Sequence, residues 1–287
     1  MEATELLRKV RRIEIKTRGL SRHIFAGEYH SAFKGRGIAF SEVREYQYGD
    51  DVRNIDWNVT ARFNHPYVKV YEEERELTVV LMIDVSGSGN FGSSVNFKRD
   101  LITEISAVLS FSAISNNDKI GILFFTDRVE KFIPPQKGRS HILRVIRELI
   151  DYKPSGKGSD LNEPLRYLTN ALKKRATAFI ISDFRLPSFE ESLRIASNKH
   201  DIGAIKIYDP LEMELPDVGM IRTLDPESGE EKWIDSSSRR VREIYSTWWK
   251  NHNETLETIF LKCGVDYTGI STREDYVKPL VRFFKQR

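Results

Sequence analysis

Residues 77–88 read Leu77-Thr78-Val79-Val80-Leu81-Met82-Ile83-Asp84-Val85-Ser86-Gly87-Ser88. The first seven are apolar or β-branched with no polar alternation, the pattern of a strand buried on both faces of a parallel sheet. The run stops at an aspartate, and small polar residues and glycines follow at once. In an extended segment, side chains at i, i+2 and i+4 leave on the same side. Asp84, Ser86 and Ser88 are therefore expected to aim one carboxylate and two hydroxyls at a common point.

Downstream, the same alternation of strand and helix repeats. The spacing of Leu101, Ile105, Val108 and Leu109 predicts a helix over 95–116. Strands follow at 119–125 and 129–133, and helices at 139–151 and 161–173. A strand at 176–182, a helix at 188–197 and a strand at 202–208 continue the series. A long helix over 239–262 has Gly264 as its C-terminal cap, and a strand at 265–270 and a helix at 275–284 close the chain. This order implies an α/β fold of Rossmann type, with a mostly parallel central sheet and helices on both faces. Upstream, a helix is expected over 2–13 and a strand over 67–76, with weakly periodic sequence between. The boundary falls near residue 76, dividing an N-terminal segment (1–76) from the main domain (77–287).

Composition narrows the classes. Of 287 residues, 40% are apolar and 30% charged, which excludes a largely disordered chain. No apolar run approaches the roughly 20 residues that cross a bilayer, and residues from Glu2 onward lack a signal-peptide core. The single cysteine, Cys263, excludes an internal disulfide and a cysteine-based zinc site. A cytoplasmic location is expected. The net charge of +3 gives no case for nucleic acid. Residues 1–37 hold nine Lys/Arg against four Glu, and 38–76 hold five against nine acidic residues. Such neighbours pair with each other more readily than with DNA, and the basic helix leaves at most a peripheral contact with acidic lipid.

Two further loops reach the edge where Asp84 sits. Gly156-Lys157-Gly158-Ser159-Asp160 precedes a helix and offers the Ser159 hydroxyl, with Asp160 competing to cap that helix. The strand at 176–182 ends in Asp183, placed as Asp84 is. Asp84, Ser86, Ser88, Ser159 and Asp183 form an all-oxygen set suited to Mg²⁺ or Mn²⁺, with Ca²⁺ the larger alternative. Ligands of open α/β sheets collect at this end of the strands.

At these residues the chain resembles a family. Asp84-x-Ser86-x-Ser88, Ser159 and Asp183 resemble the metal-ion-dependent adhesion site of von Willebrand factor A-type domains. Upstream, Gly35-Arg36-Gly37, Glu42-Val43-Arg44-x-Tyr46, Gly49-Asp50-Asp51-Val52-Arg53 and Ile55-Asp56-Trp57-x-x-Thr60-Ala61-Arg62 resemble the signature of the bacterial domain-of-unknown-function family 58. The tail from Gly264-Val265-Asp266-Tyr267 to Ile270-Ser271-Thr272 does so too. The resemblance implies a metal-dependent binding module or adaptor that works with a MoxR-type AAA+ ATPase on a protein client. One departure is Ser159, where the family usually has threonine.

Other chemistries fit less well. Gly87-x-Gly89-x-x-Gly92 matches a dinucleotide fingerprint, but the loop runs on before any helix and the acidic partner residue is misplaced. No nucleophile elbow surrounds Ser86 or Ser88, and no phosphate-binding Gly-x-x-x-x-Gly-Lys loop is present. A Mg²⁺- or Mn²⁺-dependent hydrolase at the same edge is the alternative, with Asp127 or Asp160 as its base. In 49–62, Asp50, Asp51 and Asp56 are expected to pair with Arg53 and Arg62, and Trp57 to anchor the turn. A docking face for the ATPase is the functional alternative there.

Overall fold

A computed structural model of the chain describes residues 39–72, 77–90, 97–156, 158–224 and 230–287. The helix expected over 2–13 lies outside these residues. The chain divides into two compact units between Leu77 and Thr78.

In the smaller unit, β1 (Ala39–Glu45) pairs antiparallel with β2 (Tyr67–Glu72). Between them lie a 3₁₀ turn, Val52–Asn54, and helix α1 (Trp57–Phe63). The Asp56 carboxylate caps α1 by accepting from the amides of Asn58 and Val59, and Asn64 ends it in the left-handed conformation (φ 56°). One expected ion pair forms, Asp51 with Arg53 at 3.9 Å, and Asp51 also caps the 3₁₀ turn through the Arg53 amide. The others are re-partnered: Asp50 accepts two bonds from Arg44, at 2.7 and 2.8 Å, and Asp56 lies 3.5 Å from Lys69. Trp57, expected as a buried anchor, is 69% exposed.

The larger unit is built on a six-stranded sheet of order β10-β7-β6-β3-β4-β5. Its members are β3 (Thr78–Asp84), β4 (Lys119–Phe125), β5 (Val129–Gln136), β6 (Thr177–Ser182), β7 (Asp201–Tyr208) and β10 (Asp266–Ser271). All neighbours run parallel except the edge pair β4–β5. Pro134 and Pro135 fit β5 because it lies at an edge, where a missing N–H costs little. The helices of this unit are α2 (Lys98–Ser115), α3 (Arg139–Asp151), α4 (Asn162–Ala171), α5 (Glu190–Lys199), α6 (Pro210–Met213), α7 (Arg239–Lys262) and α8 (Val277–Gln286).

Alternate side chains of the central strands build two apolar layers. Val80, Met82, Ala178 and Ile180 pack with Leu165 of α4, Leu193 of α5 and Phe260 of α7. On the opposite face Phe179 meets Phe284 of α8 edge-on at 5.6 Å. With β3 and β6 buried on both faces, burial fixes their register, because a slip of one residue would exchange the two layers. Gly264 follows α7 at φ +64°, as its capping role requires. Trp249 is buried and its neighbour Trp248 is 49% exposed. Residues 209–238 interrupt the alternation with α6 and a hairpin, β8 (Met220–Leu224) and β9 (Glu231–Asp235). The hairpin is largely exposed and α6 is a single turn, so neither shows the buried run that marks the central strands.

Candidate metal centre

The strand order reverses between β3 and β6, since β3 continues to β4 on one side and meets β6 on the other. Such a reversal opens a crevice at the carboxyl ends of the strands. Asp84 ends β3 at that point and is 6% exposed. Its Oδ1 accepts from the Ser86 amide at 2.9 Å, and its Oδ2 from Ser159 Oγ at 3.0 Å and Ser182 Oγ at 2.7 Å. Ser86 Oγ and Ser88 Oγ lie 3.0 Å apart. A 3₁₀ turn, Gly87–Asn90, rather than the expected extended zigzag, places Ser88 there. α2 opens only at Lys98, well beyond the glycines, which removes the helix terminus a dinucleotide site requires.

The second loop is held from below by the β4–β5 turn. Glu130 accepts from the amides of Gly156 (2.6 Å) and Ser155 (3.2 Å) and from the hydroxyls of Ser155 (2.8 Å) and Thr126 (2.9 Å). Burial works against the Glu130 charge, but these bonds outweigh it and bring its pKa down to about 2. A Cβ at Gly156 would sit 2.2 Å from Thr126 Oγ1 and 2.3 Å from Asp127 Oδ1, so the close approach requires glycine. The Asp160 amide donates to Thr126 O at 2.9 Å, and the Asp160 carboxylate takes the Asn162 amide. Asp160 thus serves the start of α4, and the Ser159 hydroxyl is left to face Asp84.

Asp183 has a different neighbourhood. Its Oδ2 accepts from Lys98 Nζ at 2.8 Å, and the same ammonium donates to Glu212 Oε1 at 2.7 Å. All three groups are buried. Burial alone would raise the Asp183 pKa; the Lys98 charge and hydrogen bond outweigh it and hold it below the carboxylate range. Burial likewise opposes the Lys98 charge, and the two carboxylates overcome it. For Asp84, burial first and the Asp183 charge second push the pKa up. Phe184 follows in the left-handed conformation (φ 55°), unusual for a bulky residue. Its amide donates to Ser182 Oγ, His252 meets its carbonyl at 3.1 Å, and its ring is buried against Phe260.

The donors fit a small, hard cation. Among the described residues Asp84 makes no ion pair, although it is buried, and hydroxyls of Ser86, Ser88, Ser159 and Ser182 surround it or adjoin it. A cavity of ≈ 40 Å³ borders Asp84, Ser86 and Gly89, but Arg99, Ile102 and Leu149 also line it and Ser88, Ser159 and Asp183 do not, so it lies behind the donor cluster rather than within it. Lys206 is not a substitute cation for Asp84: its Nζ donates to Asn253, and burial brings its pKa down to about 8. Among the described residues no three Asp, Glu, His or Cys side chains gather as they would at a carboxylate-rich centre. A separate cleft of ≈ 650 Å³ lies between α7 and residues 186–190 and contains none of these groups.

Sequence reasoning missed three members of this neighbourhood: Ser182, Lys98 and Glu212. Ser182 was detectable in principle. Ile83 pairs with Ile181 in parallel register, so the next residues, Asp84 and Ser182, come level. Lys98 reads as an ordinary solvent lysine at a helix start, and its partners are 85 and 114 positions away.

Comparison with known proteins agrees with this geometry at the level of fold. The uncharacterised protein Rv1480 of Mycobacterium tuberculosis (strain ATCC 25618 / H37Rv) is 31% identical over 288 residues, covering 99% of this chain and 90% of that protein. An aerotolerance-related membrane protein from Bacteroides fragilis NCTC 9343 superposes with a TM-score of 0.50 at 12% identity, over 74% of this chain and all (100%) of that one. The SpRpn10 VWA domain matches with a TM-score of 0.39 at 11% identity, over 74% of this chain and 96% of that one. Residues 42–255 match the model of the family described as protein of unknown function DUF58. With the sequence signature, the family match and the 31% identical relative in agreement, this chain belongs to the DUF58 family.

Proposed function

We propose that the chain is a non-catalytic, metal-dependent protein-binding module that works as an adaptor with a MoxR-type AAA+ ATPase on a protein client. The observation that carries this reading is Asp84, a buried carboxylate at the sheet's switch point with hydroxyl donors and no ion pair among the described residues. Asp84, Ser86, Ser88 and Ser159 would hold Mg²⁺ or Mn²⁺, with Asp183 behind them. Neutral hydroxyls leave a bound divalent cation much of its positive charge, which an acidic side chain of a partner can complete. The chain's own part is to keep the donors fixed. Glu130 pins the Ser159 loop, and the buried turn at Phe184 fixes the end of β6.

The hydrolase alternative would draw its base from Asp127 or Asp160. Asp160 is taken up by Asn162, and Asp127 by Thr126 and Arg128. This favours binding over turnover, and a phosphatase and esterase screen with Mn²⁺ checks it. No helix among the described residues is long and apolar enough to cross a membrane. A cytoplasmic adaptor is the matching proposal.

The direct test is capture of the MoxR-type ATPase of the same organism on the immobilised protein at constant Mg²⁺. Capture by the wild type and loss with Asp84→Ala supports the proposal. Equal capture by both would overturn the role of the metal edge.

A further inference from the structure

Two carboxylates at neighbouring strand ends are equally buried, yet only one has a cation. Lys98 Nζ lies 2.8 Å from Asp183 and 2.7 Å from Glu212, with 1% of the lysine exposed. An ammonium stripped of water is costly unless carboxylates face it, and removing the lysine would leave two buried carboxylates without the cation they share. Asp183 is further fixed by the Arg185 amide on its other oxygen, at 3.2 Å. Glu212 is fixed by the Asp209 amide at 3.2 Å and lies 3.4 Å from Arg185. The triad therefore joins the first residue of α2, the loop after β6, and α6, and Arg185 beside Glu212 supplies the second positive charge that balances the two carboxylates. Both Asp183 oxygens thus already accept hydrogen bonds, Oδ2 from Lys98 and Oδ1 from the Arg185 amide.

We propose that Lys98 sets the cation affinity of the Asp84 edge: its ammonium holds Asp183 out of direct coordination and opposes the approach of a second positive charge. This deepens the metal reading above and rests on it. The cation site then has one directly ligating carboxylate, Asp84, with hydroxyls and water completing it. Asp183 contributes only a charge already neutralised by its lysine. Lys98 is a positioning residue here, since it acts through Asp183 and through its field. The resting affinity is kept weak, so a partner's carboxylate contributes a larger share of the total binding.

The test is a Mn²⁺ titration of the full chain, reading free Mn²⁺ by electron paramagnetic resonance after chelation and gel filtration. The variants are Lys98→Met, Asp183→Asn, the double variant and Asp84→Asn. Expected is a Kd about tenfold or more tighter in Lys98→Met. That gain should shrink at least severalfold when the same change is made in the Asp183→Asn background, because the released carboxylate is then absent. Asp183→Asn alone should retain Mn²⁺ binding, whereas Asp84→Asn should lose it.

Where Lys98→Met is too unstable to purify, Asp183→Asn carries the test by itself. Loss of binding as complete as in Asp84→Asn would make Asp183 a direct ligand and overturn the proposal. So would a folded Lys98→Met whose Kd is unchanged or weaker while the wild type binds through Asp84. If no folded variant and no wild type takes up Mn²⁺, the metal reading falls and this inference with it. If only Lys98→Met binds, Lys98 is shown to be what keeps the cation out, the strongest form of the proposal.

Discussion

Asp84 and Asp183 end adjacent parallel strands and are 6% and 7% exposed, yet their chemistry diverges. Asp183 faces a buried ammonium and is held ionised. Asp84 faces hydroxyls and one amide, and burial with the neighbouring charge pushes its pKa up. Burial alone therefore says little about the state of a carboxylate; the partners decide it. One member of the pair is structural, satisfied within the chain. The other, on the metal reading proposed above, would take a cation from outside.

The largest effect that would break this contrast lies at the lysine. Lys98→Met should destabilise the protein by about 3–5 kcal/mol at pH 7, measured by urea unfolding, because two buried carboxylates lose their cation. A change below about 1 kcal/mol would mean the triad is loosely solvated. Next comes Gly156→Ala, whose new Cβ would press on Thr126 and Asp127. The expected cost is about 1–3 kcal/mol, accompanied by weaker Mn²⁺ binding as Ser159 is displaced.

Asp84→Asn sharpens the contrast with an effect of opposite sign. It removes a buried charge while leaving hydrogen-bonding capacity, so metal-free stability should rise by about 1 kcal/mol. A loss of that size would show that the Asp84 charge is compensated inside the fold. The smallest effect concerns Glu130→Gln. Glu130 titrates well below its ordinary 4.5, at about 2, so the stability it lends is complete above 4.5 and lost as pH falls toward 2. The variant should be less stable by about 1 kcal/mol at pH 7, after solvent screening of a half-buried group. That difference should close by pH 2, and an unchanging gap would assign the effect to packing.

The fold was legible because its central strands advertise themselves. Val79 to Ile83 and Phe179 to Ile181 are buried on both faces, and a two-sided core leaves an uninterrupted apolar run. The hairpin β8–β9 was not legible, since exposed strands carry no such constraint, and α6 was not, since a single turn is too short to show a helical period. At the site, Asp84, Ser86 and Ser88 were readable because they are close in sequence, and Ser159 because its loop opens a helix. Ser182 and Lys98 were not, for different reasons. Strand alternation counted from Asp183 hides Ser182, whose place depends on the register between β3 and β6. Lys98 belongs to the site through contacts 85 and 114 residues distant, and no local pattern encodes which lysine is buried. In the smaller unit, acidic residues and arginines were foreseen as a paired turn; Asp51 and Arg53 do pair, but Asp50 pairs with Arg44, which β1 brings beside it.

The central claim is that the Asp84 edge takes a divalent cation, and thermal unfolding tests it most directly. Wild type and Asp84→Asn would be chelated and then melted with and without 1 mM Mn²⁺. A ligand bound only to the folded state stabilises it by RT ln(1 + [L]/Kd), about 2.7 kcal/mol at a hundredfold excess over Kd. The expected result is a rise of several degrees in wild type and none in Asp84→Asn. Equal melting temperatures with and without Mn²⁺ in both proteins, or equal rises in both, would contradict the claim.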